Sequence, residues 1–289
     1  MKLQERLEKL RREADAGSWE ERNEIALPLA EAADTGEWLT LRIDDTDGGH
    51  CHFSAEQDEG RSALMHQLLL ELLYGYGPQR VRVCYLGDHG GAYKELSELG
   101  AQCFPLSEAE AFSSRLIAQL EERRDTLIHN NAENYRAYCF RGTTGVAQYR
   151  FMPRLVILAE DAPLFGGAGT LSRQISVKGR SLGVTMLTVG TNGSALPNVR
   201  LAVIDPPEKG APYARLRMEE DGAQRCGRLP LPTAEELEES LRMLHEQSAL
   251  RRRTLAGQEE FTRVYIRKKV PGDAADAAEK TRIYNIGGK

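Results

Sequence analysis

The sequence contains no run of about 20 apolar residues, the length that crosses a bilayer as a helix, so nothing in it reads as a membrane span. The N-terminus "MKLQERLEKLRREADAG" reads as charged and helical rather than as the apolar stretch of a secretory leader. Cysteine is sparse: Cys51, Cys84, Cys103, Cys139 and Cys226 are odd in number, widely spaced and form no C-x-x-C pair. That pattern speaks against a disulfide framework or a cysteine-rich zinc module and for reduced thiols in a core. Excess positive charge is lacking too, since 38 Lys and Arg stand against 43 Asp and Glu, a net charge of −5. A strongly basic surface, the simplest mark of a nucleic-acid binder, is thereby removed. The expectation is a cytoplasmic globular protein or part of a larger machine, without membrane insertion and with nucleic acid not favoured by charge.

What is present is enough for a full core: 289 residues, 41% of them hydrophobic, suit one large or two small domains. Leu3, Leu7 and Leu10 make a short amphipathic N-terminal helix that must dock to persist. "WLTLRIDD" alternates like a strand and "HCHFSA" like a second, with "DTDGGH" as a turn between them, so the two read as a hairpin. From Ser62 onward, Leu64, Met65, Leu68, Leu69, Leu72 and Leu73 recur at helical spacing. "RVRVCYLG" is a strand, "DHGGAYKELSELG" a Gly-rich turn opening a helix, and "SEAEAFSSRLIAQLEERRDTLI" a long helix with Ser107 and Glu110 as a capping box. Residues 130–152 read as a polar and aromatic surface excursion. The strand "RLVILAED", a helix over Thr170–Ser181, and the strands "GVTMLTVG" and "VRLAVID" follow. Near-continuous apolar strands alternating with helices specify an α/β fold, its sheet mostly parallel and covered on both faces.

The sequence "AEQDEGRS" has the spacing of a phosphate-binding loop. Ala55, Gly60, Arg61 and Ser62 fall where G-x-x-x-x-G-K-[ST] places Gly, Gly, Lys and Ser. Two of the four residue types differ from the pattern, and Glu56, Asp58 and Glu59 put three carboxylates into a turn meant for an anion.

The segments "GRSALMHQLLLELL", "GDHGGAYKEL", "EAFSSRLIAQLEERRDTL", "RLVILAED" and "VKGRSLGVTMLTVG", in that order, resemble the FtsK/SpoIIIE-type P-loop ATPase domain. The "DHGG" turn and the acidic opening loop are more similar to the EssC/EccC modules of type VII secretion motors than to the DNA-pumping branch. The resemblance covers about residues 25–205, leaving 1–24 as an N-terminal helix or linker and 206–289 as a small α+β extension of short strands, a charged helix and a tail. It implies a RecA/FtsK-like P-loop fold, Mg·ATP as cofactor, and other subunits or domains of a machine, or further copies of the chain, as partners. The nucleotide-binding run falls on Gly60, Arg61, Ser62 and Ala63. The Lys that reaches the phosphates is Arg61, the hydroxyl that holds Mg²⁺ is Ser62, and the acidic pair after the buried strand is Ala159 and Glu160, with Asp161 next. Arg180 matches the position from which such ATPases reach toward a neighbour's nucleotide, and the sensor Gln falls on Thr191. Lys, the metal-orienting Asp and the Gln are each replaced.

Each of these residues also has an ordinary reading: first-turn residues of a helix for Arg61 and Ser62, a surface acid at a strand end for Glu160, and a structural arginine beside a Gly turn for Arg180. His50, Cys51 and His52 cannot converge on a metal in a strand, because the histidines share one face and the cysteine takes the other. "GTTG" (142–145) lacks the Lys and the helix of a phosphate loop. The basic clusters "LRRRT" (250–254) and "IRKK" (266–269) read as solvated, ion-paired faces, and "FTRVYIRKKV" as a basic strand. Three functions remain open: a degenerate P-loop module used for assembly or docking, an active ATP-dependent translocase of DNA or protein using Arg61, and a nucleic-acid module without ATPase activity.

Overall fold

The computed structural model describes residues 7, 12, 24–32, 35–44, 49–143, 152–160, 170–191, 196–220 and 223–249. Ten strands form one sheet: β1 (Ile25–Ala32), β2 (Trp38–Ile43), β3 (Cys51–Ala55), β4 (Val81–Leu86), β5 (Ala101–Phe104), β6 (Arg154–Glu160), β7 (Val184–Gly190), β8 (Arg200–Asp205), β9 (Tyr213–Glu220) and β10 (Ala223–Pro230). Their order is β2-β1-β10-β9-β8-β3-β7-β6-β4-β5. The six strands from β8 to β5 run parallel, and β9, β10, β1 and β2 add an antiparallel flank. The α/β, mostly parallel class read from the sequence is the one observed.

Central strands of a covered parallel sheet lose the polar–apolar alternation. In β6 (RLVILAE) and β7 (VTMLTVG) every residue is buried. Phe53, Tyr85, Val156, Leu158 and Leu187 build the core on one face, and Cys84, Leu86, Leu155, Ile157, Ala159 and Met186 build it on the other. The first face receives helix α1 (Asp58–Leu70) and the π-helical turn that continues it, Glu71–Tyr76. Leu64, Met65, Leu68, Leu69, Leu72 and Leu73 are each at most 2% exposed. Leu7, in helical conformation, and Leu244 join the same cluster. The second face receives α2 (Ala109–His129) and α4 (Thr170–Lys178).

Four local readings are corrected. β2 and β3 are not a hairpin: β2 pairs with β1, and four strands separate it from β3. The bulge between Pro28 and Ala30 in that pairing accommodates a proline inside β1, the feature that hides this strand in the sequence. Residues 130–152 are not all surface, because α3 (Tyr135–Thr143) buries Tyr135, Tyr138 and Cys139. The long helix has no Ser107–Glu110 capping box; it opens from a 3-10 turn at Leu106–Glu108 without a side-chain cap. The "DHGG" turn leads into two short 3-10 segments, Asp88–Gly91 and Lys94–Leu99, where an α-helix was expected. A capping box does open the last described helix: Thr233 N–H donates to Glu236 Oε2 at 3.0 Å and Glu236 N–H to Thr233 Oγ1 at 3.2 Å, at the start of α5 over residues 234–249.

Candidate functional site

In an open parallel sheet, ligands gather beyond the carboxyl ends of the strands. Here those ends are Ala55 on β3, Glu160 on β6, Gly190 on β7 and Leu86 on β4. Only Glu56 and Gln57 lie between Ala55 and the first residue of α1. Gly60 and Ser62 are therefore inside the helix, where the sequence pattern placed Gly60 at a turn. Gln57 takes the extended N-cap conformation, with φ −106° and ψ 142°. By i→i−4 pairing, the backbone N–H groups of Arg61 and Ser62 belong to the helix ladder. Ala63 is buried at 5% exposure, and Arg61 and Ser62 are half-buried. Gly60 has a packing reason of its own: a Cβ there would stand 3.1 Å from Ile204 Cγ2 of β8.

Glu160 is not a surface acid. It is 7% exposed, and each carboxylate oxygen accepts a hydrogen bond: Tyr85 O–H donates to Oε1 at 3.0 Å, and the Asp88 backbone N–H donates to Oε2 at 3.2 Å. The "DHGG" turn closes over this carboxylate because Gly87 has no side chain; a Cβ there would come within 2.6 Å of Oε1 and 2.5 Å of Tyr85 Oη. Tyr85 stands edge-on to Tyr93, with ring centroids 5.2 Å apart. Tyr93 Oη is 2.8 Å from His66 Nδ1 on α1. Two hydrogen bonds and the ring contact between them thus connect the inner face of α1 to the acid at the end of β6. Ala159 is fully buried on the opposite face, and Asp161 lies outside the described residues.

Burial raises the pKa of Glu160, opposed by its hydrogen bonds from Asp88 and Tyr85. The same burial, with His89 second, lowers His66 to about 4. A carboxyl whose folded-state pKa exceeds its unfolded value holds its proton longer when folded, so it loses stability as pH rises between the two values. Histidines with lowered values work the other way and lose stability as pH falls below the usual 6.5. A difference curve isolates the acid: the stability of Glu160→Gln relative to wild type should rise with pH from about 4.5, by at most ~1.4 kcal/mol per unit, and then level off. Urea titrations at stepped pH give this curve, and a gap constant with pH would contradict the assignment.

Arg180 sits at the other end of the sheet. It belongs to a 3-10 turn, Arg180–Leu182, that precedes β7. Because Leu155 pairs with Val184 and Glu160 with Val189, the strand separates Arg180 from Glu160 by about 17 Å or more. The chain does not bring these two residues together, and a role for Arg180 at a nucleotide requires a neighbouring subunit's site. His50 lies near this lower end: its Nδ1 accepts the Met186 N–H at 3.0 Å, and burial, with Arg154 and Arg180 nearby, lowers its pKa to about 4. His52 is bonded through Nδ1 to Thr188 Oγ1 at 2.8 Å. Both histidines serve β7, and no group of three or more potential metal ligands occurs among the described residues. Thr191 is exposed at the end of β7. The basic clusters at 250–254 and 266–269, the second half of "GTTG" and the loop after Glu160 lie outside the described residues.

A parallel sheet with a βα connection after β3 and an acid closing the strand two positions away is an α/β fold of the kind seen in P-loop ATPase domains. Within that class, the fold is that of FtsK/SpoIIIE-type modules as they occur in type VII secretion ATPases. The cytoplasmic domain of EccC from Thermomonospora curvata superposes with a TM-score of 0.63 at 19% identity over 79% of this chain. EccC ATPases 2 and 3 from the same organism, solved in complex with a signal sequence peptide, give 0.60 at 15% over 81%. EssC ATPases 2 and 3 from Geobacillus thermodenitrificans give 0.55 at 17% over 78%. The chain covers 32% of the first of these structures and about half of the others, 49% and 48% respectively. No protein-family model and no curated protein sequence matches it. No described helix is long and apolar enough to cross a membrane.

Proposed function

We propose that this chain is a degenerate P-loop module, kept for its fold, that serves as an assembly or docking part of a translocation or secretion machine. The early start of α1 carries the reading. The two-residue link Glu56–Gln57 is too short to wrap backbone N–H groups around a phosphate, the geometry by which a P-loop binds. Three further observations support it. Arg61 stands for the Lys that reaches the β- and γ-phosphates, and a planar guanidinium does not replace a point charge at fixed depth. Glu160 is engaged by Tyr85 and the Asp88 N–H rather than open to a metal or water. Ala159 offers no ligand. The residues present are thus a poor match for Mg·ATP, and no catalytic step is derived through it.

A secretion-type docking role makes a protein segment the partner class, in keeping with the neighbour solved with a signal sequence peptide. The absence of net positive charge weighs against nucleic acid.

Thermal denaturation with and without millimolar Mg·ATP tests the reading. A ligand at 100 times its dissociation constant stabilises by ~2.7 kcal/mol, whereas this chain should show no shift. ATP turnover that Arg61→Ala abolishes would establish the active translocase in its place.

A further inference from the structure

We propose that an exposed stripe of helix α2 is the contact surface for a second copy of this chain, the two helices packing antiparallel about a two-fold axis. α2 buries Phe112, Leu116, Arg123 and Leu127 along one line of its surface. Ile117, Glu121, Arg124 and Ile128 lie outside that line and are all exposed, the two isoleucines at 46% and 62%. Their spacing of four, three and four residues keeps them within roughly 60° of arc on a helix of 3.6 residues per turn. Alternating steps of four and three are the seam by which one helix packs along another. Among the described residues, the other large exposed hydrophobic side chains, Phe140, Val177, Leu201 and Tyr213, fall on four different elements, a scatter that needs no partner.

The occupant follows from the order of residues along the stripe. Ile117, Glu121, Arg124 and Ile128 read Ile, Arg, Glu, Ile when the helix is turned end for end. Two copies of α2 lying antiparallel therefore set Ile117 against the partner's Ile128 and Glu121 against the partner's Arg124, each contact occurring twice about the axis. Opposite charges meet at both central contacts. A parallel pair would set Glu121 on Glu121 and Arg124 on Arg124, so the charges choose the orientation, as they do along the seams of paired helices. In the single chain, Arg124 lies 3.5 Å from Asp125, and both side chains are more than half exposed. Such a contact is worth little and leaves the guanidinium able to turn across the axis. A surface that complements itself in this way is what a closed two-fold dimer requires.

The stripe is short. Continued toward the start of α2, the same line carries Ser114 and Glu110, both exposed and polar. From Ile117 to Ile128 it runs about 17 Å at 1.5 Å per residue. A contact of that length stays below the ~1,200 Å² of stable interfaces, so the dimer is weak and depends on concentration. It forms most readily where copies are held close together, as parts of one assembly are. The contact uses none of the residues aligned with the phosphate-loop pattern, and it stands or falls independently of Mg·ATP binding.

Sedimentation equilibrium of the full chain, from micromolar to near-millimolar concentration, tests the proposal on four proteins: wild type, Glu121→Arg, Arg124→Glu, and the chain carrying both changes. Either single reversal puts like charges together at both central contacts and should weaken self-association roughly tenfold or more. The double reversal restores opposite charges at both and should return the dissociation constant to within about threefold of wild type. Mixed in equal amounts, the two single variants complement each other and should associate where neither does alone. Both positions are exposed, so the variants should keep the wild-type urea midpoint. Self-association that neither reversal changes, or that the double reversal fails to restore, would overturn the proposal. So would a wild-type chain that stays monomeric at every concentration, which would leave the stripe to a different protein.

Discussion

Replacing Gly90 by alanine should cost at least ~3 kcal/mol of folding stability, while the same change at its neighbour Gly91 should cost under ~0.5 kcal/mol. A Cβ at Gly90 would stand 2.0 Å from Phe104 O, 2.2 Å from Phe104 C and 2.5 Å from Pro105 N. All three are backbone atoms, so no side chain can rotate out of the way. Phe104 is fixed in register opposite Leu86, and its carbonyl already accepts the Gly87 N–H. Gly90 is held from its own side by donating to Gly87 O at 2.9 Å. The strain can be relieved only by parting β5 from β4 or by opening the turn, and the second course takes the Asp88 N–H away from Glu160. Gly91 has nothing within 4 Å of its Cβ direction, so it controls for the loss of a glycine from the unfolded chain. Urea midpoints of the two variants decide the matter, and equal midpoints would refute this account of the turn.

The glycines of "DHGG" also show what the sequence could reveal of the site. The motif marks a tight turn, but its purpose depends on Glu160, more than 70 residues later in the chain. No local pattern links the two. Burial of a strand-end acid is visible only once β4 and β6 are neighbours and Tyr85 is aimed at it. Helix α1 shows the reverse situation. Asp58 and Glu59 are a first-turn signal that was legible, yet aligning the chain to a phosphate-loop pattern assigned those positions to the loop. The physical signal for the helix start was the better guide.

For the fold, legibility followed the strength of each element's own pattern. The apolar runs of β6 and β7 could be read without context, because only strands buried on both faces look that way. Strand β1, "IALPLAEA", could not: alanine and glutamate favour helices, and Pro28 argues against a strand interior. Its place is set by partners on both sides, β2 and β10. Helix α3 carried a faint signal in Asn134, whose Oδ1 accepts the Ala137 N–H at 2.9 Å in the manner of an N-cap. Aromatic residues close behind it suggested a surface loop, although Tyr135 and Tyr138 pack inward and only Phe140 of this group is exposed.

The innermost of those rings supports the second large prediction: Tyr135→Ala should destabilise the protein by about 4 kcal/mol. Tyr135 is 1% exposed, between Arg154 at 1% and Arg123 at 7%. Its ring centroid lies 5.1 Å from the Arg154 guanidinium carbon and 5.9 Å from that of Arg123. Arg123 also donates to Leu182 O at 3.1 Å and to Pro153 O, tying α2 to the chain on either side of the second core. Burial lowers the pKa of Arg123 to about 10, and it pushes the phenol of Tyr135 far upward, so at neutral pH two cations share one neutral ring. Gly183, at φ +67°, lets the chain pass the ring, since a Cβ there would be 2.4 Å from it. Truncation to alanine removes the apolar volume and the π face that two buried guanidinium groups use, each contact of that kind being worth ~1–2 kcal/mol when desolvated. Tyr135→Phe keeps the ring and should cost ~1 kcal/mol or less. If phenylalanine proves as damaging as alanine, the hydroxyl rather than the ring is what this corner of the fold requires.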